Sequence, residues 1–268
     1  MATENRDKIK HDIRKAYGAI ATGVSPGTSD TAAPLPCCGE AAPTIETLSK
    51  LMGYSDDDLV QAPQGANMGL GCGNPGVVAS MVPGETVLDL GSGGGFDCFL
   101  ARRQVGEHGR VIGIDMTPRM IELARTNASK LGYANVEFVE GSIESLPVDD
   151  DSIDVVISNC VINLSLDKAR VFREAFRVLK PGGRLAVSDV VATAELPDVI
   201  KQDLKLHAGC VAGAEQVSVV ERLLAEAGFI EIKLTQKDKS REILTSWVPG
   251  SNIDQYVASY VIEAMKPR

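Results

Sequence analysis

The sequence predicts an α/β protein: a mostly parallel sheet covered by helices on both faces, with an N-terminal extension and a small C-terminal α+β capping lobe. Three observations carry this prediction. From Thr86 onward short apolar runs alternate with helical segments, the pattern of parallel strands joined by crossover helices. The first of those runs passes straight into the glycine turn Gly91-Ser92-Gly93-Gly94-Gly95 and then a helix. Beyond Ala192 the regular alternation stops.

Taken in order, the segment from Glu4 to Ala19 sets Ile9, Ile13, Ala16 and Ile20 among charges, a one-faced helix that packs on the main domain. Residues 21–36 turn to Ser, Thr, Gly, Ala and Pro, too polar and small to offset their ordering entropy, and so predict a mobile stretch. It ends in Cys37-Cys38-Gly39. A short helical piece precedes a shaped loop from Gly65 to Gly76, which contains Gly71-Cys72-Gly73-Asn74-Pro75. Strands follow at Thr86–Leu90, Arg110–Asp115, Val136–Glu140, Ile153–Cys160 and Arg184–Val190. Between them lie helices at Phe96–Gln104, Pro118–Leu131 and Asp167–Leu179, the last stopped by Lys180-Pro181-Gly182-Gly183. The tail predicts helices near Pro197–Leu206 and Val217–Ala227 and strands near Ile230–Leu234 and Val257–Met265, capping the ligand edge of the sheet. The expected division is 1–76 for the N-terminal helix, mobile stretch and Cys72 loop, 77–192 for the cofactor-binding domain, and 193–268 for the lobe.

Charge narrows the function classes. Lys and Arg number 27 against 36 Asp and Glu, and a net charge of −9 repels phosphate backbones and anionic headgroups. Nucleic acid and membrane are therefore poor partners. No apolar run reaches the roughly 20 residues of a membrane span, and the charged N-terminus is no secretory leader, so a cytoplasmic protein is expected. In a reducing compartment six cysteines read as metal-binding or reactive thiols before they read as disulfides.

The glycine turn lets a ligand approach the backbone, and the helix N-terminus behind it favours a carboxylate or phosphate. Alone it could be a dinucleotide fingerprint or a tight turn. Its context is more specific. Asp89 lies on the strand before the glycines, where a carboxylate can face the amino group of a methionine moiety. Asp115 ends the next strand, placed for two ribose hydroxyls, and Met116 after it can lie on an adenine face. Asp-Leu-Gly-Ser-Gly at 89–93, Gly-Ile-Asp at 113–115 and Leu-Lys-Pro-Gly-Gly at 179–183 together resemble the successive motifs of class I methyltransferases. That resemblance implies a Rossmann-like sheet of seven strands with the last antiparallel, and S-adenosylmethionine across the strand ends. Carried over by position, Gly91, Ser92 and Gly93 line the methionine part, Asp115 and Met116 the ribose and adenine, Ile143 and Glu144 the adenine edge. Asn159 closes the site after the fourth strand. For Ile143 a plain packing role fits nearly as well.

The methyl acceptor is read from the cysteines. Cys160 directly follows Asn159 at the strand end, Cys72 sits in the glycine-rich loop, and Cys210 follows His207-Ala208-Gly209 in the tail. Each can face one edge of the sheet, and a pyramid of three soft thiolates suits trivalent arsenic, whose lone pair stays free. Ser-Asn-Cys-Val-Ile-Asn-Leu at 158–164, Gly-Cys-Gly at 71–73, Asp-Met-Thr at 115–117, Ser-Asp-Val at 188–190 and Gly-Cys-Val-Ala-Gly-Ala at 209–214 resemble arsenite methyltransferases over nearly the full chain. The resemblance implies that Cys72, Cys160 and Cys210 hold As(III), though cysteine is also a common small buried residue. Leu70 departs from the Tyr some relatives carry before Gly-Cys-Gly, so any aromatic contact to the sulfonium from that position is missing.

The expected chemistry is a detoxifying methylation. Arsenite arrives as a thiol adduct, exchanges onto the three cysteines and attacks the methyl through its lone pair, with no general base. The lobe bearing Cys210 closes on substrate. Thioredoxin or glutathione regenerates oxidised thiols, and Cys37 and Cys38 serve as relay thiols or exchange a disulfide with Cys72. Cys98 reads as core and His207 as a helix-surface residue. A carbon or oxygen methyltransferase, or a non-catalytic thiol protein, are the rival readings; zinc is disfavoured by the absence of CxxC spacing.

Overall fold

The computed structural model describes residues 2–22, 44–201, 203, 206–207, 209–247 and 252–268. The expected mobile stretch and its Cys37-Cys38 pair lie outside them. Seven strands form one sheet: β1 Thr86–Leu90, β2 Arg110–Asp115, β3 Val136–Glu140, β4 Ile153–Asn159, β5 Leu179–Ala192, β6 Ile230–Gln236 and β7 Val257–Met265. Their order is β3-β2-β1-β4-β5-β7-β6. β1 to β5 pair in parallel, and β7 runs antiparallel to both of its neighbours, as expected for the last strand. The strand order reverses between β1 and β4, which opens a crevice at their carboxyl ends.

The helices are α1 Ala2–Ala21, α2 Ile45–Met52, α3 Asp56–Gln61, α4 Pro75–Ala79, α5 Phe96–Val105, α6 Pro118–Leu131, α7 Lys168–Val178, α8 Asp198–Lys201, α9 Val217–Ala227 and α10 Ser240–Trp247. Strand side chains alternate between two cores because the pleat has a period of two. Val87 and Val111 face Phe99 of α5 with Ile121 and Ala124 of α6. Leu88, Leu90, Ile112 and Ile114 face Phe172 of α7 and Leu224 of α9. Phe99 and Phe172 are both buried, each contributing about 1.5–3 kcal/mol. Pro118 opens α6, where its fixed φ suits the first turn, and Asp167 caps α7 by accepting the Arg170 N–H.

Two details differ from expectation. The Lys180-Pro181-Gly182-Gly183 run ends α7 but does not delay the strand: β5 starts at Leu179, opposite Ile153, and the register slips so that Arg184 pairs with Val155. Helix α10 goes unannounced in the sequence because little in a polar stretch marks its inner face; Ile243 and Leu244 are buried there. The strands expected within 193–268 extend the main sheet, with β7 paired to β5 from Arg184↔Met265 to Ala192↔Val257.

A third apolar cluster lies at the carboxyl ends of the strands. It joins Ile13 of α1, Leu164, Val190, Leu196, Val211 and Leu244 with Cys72, Cys160 and Cys210. The three thiols singled out by the sequence thus share one small core beside the crevice. Among the described residues no helix is long and apolar enough to cross a membrane.

Candidate functional site

The crevice is a cleft of about 1130 Å³ including its open mouth. Its floor is the turn after β1. Gly91 holds φ +73°, and a Cβ there would come within 2.4 Å of Val161, so the chain needs glycine. Gly91 and Ser92 donate their N–H groups to Ile114 O at 2.8 and 2.9 Å, which ties the turn to β2. Gly93 donates to Asp115 Oδ2 at 3.0 Å, and Thr117 N donates to Oδ1 at 2.8 Å. These two bonds hold Asp115 at the cleft wall, while burial raises its carboxyl.

Every residue expected to hold the cofactor lines this cleft. Asp89, Gly91, Ser92 and Gly93 of the first strand and its turn, Asp115 and Met116 after the second, Ile143 and Glu144 after the third, and Asn159 at the end of the fourth are all in its lining. Ser92 Oγ is buried without a hydrogen-bond partner among the described residues, a polar atom available to a ligand. Glu144 already has partners: Lys10 of α1 forms a short ion pair with it, and Ser165 Oγ donates to Oε1 at 2.6 Å. Leu70 lines the cleft at the position where an aromatic contact is missing.

The sequence reading missed a second acid beside Asp89. Asp97, in the first turn of α5, accepts from Tyr54 Oη at 2.6 Å and from Asn159 Nδ2 at 3.1 Å. An acid in a helix's first turn reads as a partner of the helix dipole, which hid its place in the cleft. Burial, and then the charge of Asp97, push the Asp89 carboxyl well above the usual range. Burial likewise raises Asp97, partly opposed by its bonds from Tyr54 and Asn159. A cationic ligand group reverses both penalties, which is what an acidic, buried end of a cleft is suited to bind. Cys98, fully buried, donates to Asp89 Oδ2 at 3.2 Å, so this expected core residue also touches the site.

Asn159 joins the cofactor cleft to the thiols. Its Oδ1 accepts the Cys72 N–H at 3.0 Å, and its Nδ2 donates to Gly73 O at 2.7 Å and Tyr54 Oη at 2.9 Å. The loop approaches so closely that a Cβ on Gly71 would sit 2.5 Å from the Asn159 amide. Cys72, Cys160 and Cys210 are all buried free thiols. Cys160 also lines the cleft. Cys160 and Cys210 have φ values of +57° and +62°, a left-handed backbone that costs non-glycine residues about 1–3 kcal/mol and clusters at functional sites. Cys210 Sγ donates to Cys160 O at 2.6 Å, and the Cys72 and Cys160 sulfurs lie within 4.8 Å of each other.

Burial pushes the Cys160 thiol well up, with the neighbouring thiols adding to the shift. Its hydrogen bond with Cys160 favours the Cys210 thiolate, but burial together with the charges of Asp189 and Cys72 prevails and raises it. Tyr17 of α1 reaches the same cluster, where its hydroxyl hydrogen-bonds Cys210. Lys237 lies against the Cys72 loop; burial lowers its ammonium, opposed by attraction to Cys72, Cys160 and Asp97. Lys168 shows the same balance against Glu215, Asp189 and Cys210. His207 is corrected from helix surface to buried, at 9% exposure, and burial lowers its imidazole. Tyr17, Tyr54, Lys168 and Lys237 belong to no motif, because an amphipathic pattern shows that a face packs and not which side chain reaches a site built from distant segments.

Comparison with known proteins resolves which chemistry this arrangement belongs to. A methyltransferase domain family matches residues 82–228. The arsenite methyltransferase of Halobacterium salinarum is 46% identical over 100% of this chain and 69% of its own length. The chain belongs to the arsenite methyltransferase family. The arsenite methyltransferase of Mus musculus is 35% identical over 88% of the chain and 62% of its own length. The chain spans about half to about two-thirds of the length of such curated relatives. An arsenic(III) S-adenosylmethionine methyltransferase from Chlamydomonas reinhardtii superposes with a TM-score of 0.57 at 34% identity, covering 85% of this chain and 75% of its own. S-adenosylmethionine is the cofactor, and the glycine turn with its unpartnered Ser92 hydroxyl and acidic end fits that cation.

Proposed function

We propose that this chain methylates trivalent arsenic held by Cys72, Cys160 and Cys210, an arsenic-detoxifying activity. The observation that carries the reading is the convergence of three buried thiols from three separate segments, one of which, Cys160, forms part of the cofactor cleft wall. Bound in the cleft, S-adenosylmethionine supplies an electrophilic methyl on a sulfonium.

The chain's own residues then divide the work. Asp89 and Asp97 receive the amino group, Gly91, Ser92 and Gly93 the carboxylate end, and Asp115 the ribose hydroxyls. Met116 and Ile143 flank the adenine, with Glu144 at its edge. Asn159 fixes the Cys72 loop relative to the cleft through its hydrogen bonds to Cys72 and Gly73. Arsenite arrives as a thiol adduct; each enzyme thiol forms an As–S bond and gives its proton to the thiolate it displaces. Burial keeps Cys160 and Cys210 protonated in the empty site, so each gives up its proton as its As–S bond forms and the bond replaces the buried charge. Arsenic attacks through a lone pair that bears no proton, so positioning and exclusion of water suffice in place of a general base.

Methylation leaves arsenic formally pentavalent; two enzyme thiolates return it to the trivalent state by leaving as a disulfide, a thiol reductant, thioredoxin or glutathione, reduces that disulfide, and Cys37 and Cys38 relay arsenic or reducing equivalents. Free thiols at Cys72, Cys98, Cys160 and Cys210 fit the reducing cytoplasm. Replacing Cys160 or Cys210 by Ser should lower arsenite methylation at least about 100-fold with cofactor affinity unchanged, as read by radiolabel transfer and calorimetry. Full activity in either variant would sink the three-thiol site.

A further inference from the structure

Asp189 stands where a carboxylate is costly. It is 2% exposed, and its oxygens accept N–H bonds from Val190 at 2.8 Å, Ile162 at 3.0 Å and the Asn163 side chain at 3.0 Å. An ionised carboxylate offers about four acceptor positions, so these donors leave one unspent. One of its oxygens, Cys72 Sγ and Cys160 Sγ all lie within 4.8 Å of one another, and Cys210 packs on Cys160. Arsenic in a sulfur pyramid takes three thiolates and keeps its lone pair, so it makes no use of the spare acceptor position of Asp189.

We propose that Asp189 completes a four-donor site, with Cys72, Cys160 and Cys210, for a thiophilic divalent cation such as zinc or cadmium that competes with arsenic. The competition rests on the arsenic reading above; the metal site itself does not. Three sulfurs and one oxygen match the tetrahedral preference of zinc, with bonds of about 2.3 Å to sulfur and 2.0–2.2 Å to oxygen; Cys72, Cys160 and Asp189 need only draw together, while Cys210, outside that close group, has to turn its sulfur from the Cys160 carbonyl towards them. Asn163 and the two backbone N–H groups orient the carboxylate as a supporting shell does in metal sites. Binding one dication replaces three thiol protons, so three protons are released and the four-ligand complex carries two negative charges. Lys168, which interacts with Cys210 and Asp189, and Lys237, which interacts with Cys72 and Cys160, supply the two balancing cations. The ion enters through the cleft that Cys160 lines.

The test uses the reduced full chain under anaerobic conditions, carrying Cys37→Ser and Cys38→Ser to remove the other thiol pair. Cobalt(II), the spectroscopic stand-in for zinc, should give a thiolate-to-metal charge-transfer band that saturates at one ion per chain and is displaced by zinc. Asp189→Asn should weaken metal binding at least about 10-fold while arsenite binding changes less than about 3-fold. No band, or an Asp189→Asn variant that titrates like its parent, would overturn the site. If that variant fails to fold, the infrared carboxylate stretch of the parent decides: a carboxylate band that shifts when zinc binds supports Asp189 as a ligand, and carboxylate bands unmoved by zinc overturn it. A band that arsenite cannot displace leaves the metal site standing and overturns the shared use of the thiols, and with it the arsenic reading.

Discussion

At the scale of single residues, Asn159 and Asp189 do more than the sequence motifs containing them suggest. Asn159 makes hydrogen bonds to Cys72, Gly73, Tyr54 and Asp97, so Asn159→Ala should cost about 2–4 kcal/mol, at roughly 1 kcal/mol per bond. Denaturant midpoints check the loss, and arsenite binding should suffer more than cofactor binding because the Cys72 loop is released. Asp189 makes a pH prediction. Burial raises its carboxyl to about 6 from an ordinary 3.8, with the charge of Lys168 and its backbone hydrogen bonds opposing the shift. The folded chain therefore binds more protons than the unfolded one between those values, and this group's contribution to stability falls as pH rises from about 4 to 6. The difference amounts to roughly 3 kcal/mol. Asp57, Glu144 and Glu174 are shifted downward and act in the opposite sense, so only a comparison isolates the effect. Asp189→Asn should lose less stability than the parent between pH 4 and pH 6; identical slopes would contradict it. Sequence motifs placed both residues near the site but gave no reason for their partners, since hydrogen bonds across 87 positions of chain leave no local pattern.

At the scale of elements, α1 acts as a strap across the cleft. Its Lys10 pairs with Glu144 beyond β3, while its Tyr17 hydrogen-bonds Cys210 near the end of β5. Tyr17→Phe removes one hydrogen bond to a buried sulfur and should raise the arsenite KM about 5-fold with little change in kcat. Lys10→Ala should speed amide hydrogen exchange along α1 while leaving β1, β4 and β5 protected. The helix itself was legible from Ile9, Ile13 and their spacing, and Ile13 is indeed buried. Its role was not, because an amphipathic stripe specifies that a face packs and not what it packs on. The glycine turn was more informative: strand, turn and helix are contiguous in sequence, so their ligand-binding geometry is local. β6 and β7 were legible as strands, whereas their joining of the main sheet depends on the long-range pairing of β7 with β5.

At the scale of the whole molecule, the cofactor cleft draws walls from α1, the Cys72 loop, β1, β2 and β4, so a ligand there ties distant segments together. S-adenosylmethionine at about 100 times its Kd should stabilise the fold by roughly 2.7 kcal/mol and raise Tm by about 5–10 °C. Asp115→Ala should abolish that rise in a thermal melt. The same architecture sets an acidic cofactor end against a buried apolar cluster of thiols that meets the cleft at Cys160, which suits a methyl donor and a soft acceptor. The decisive measurement is to incubate the reduced chain with methyl-labelled S-adenosylmethionine and arsenite, then separate the arsenicals. Label should appear in methylated arsenic, dependent on Cys160 and Cys210; label found only in an organic acceptor, with arsenic unmodified, would contradict the account.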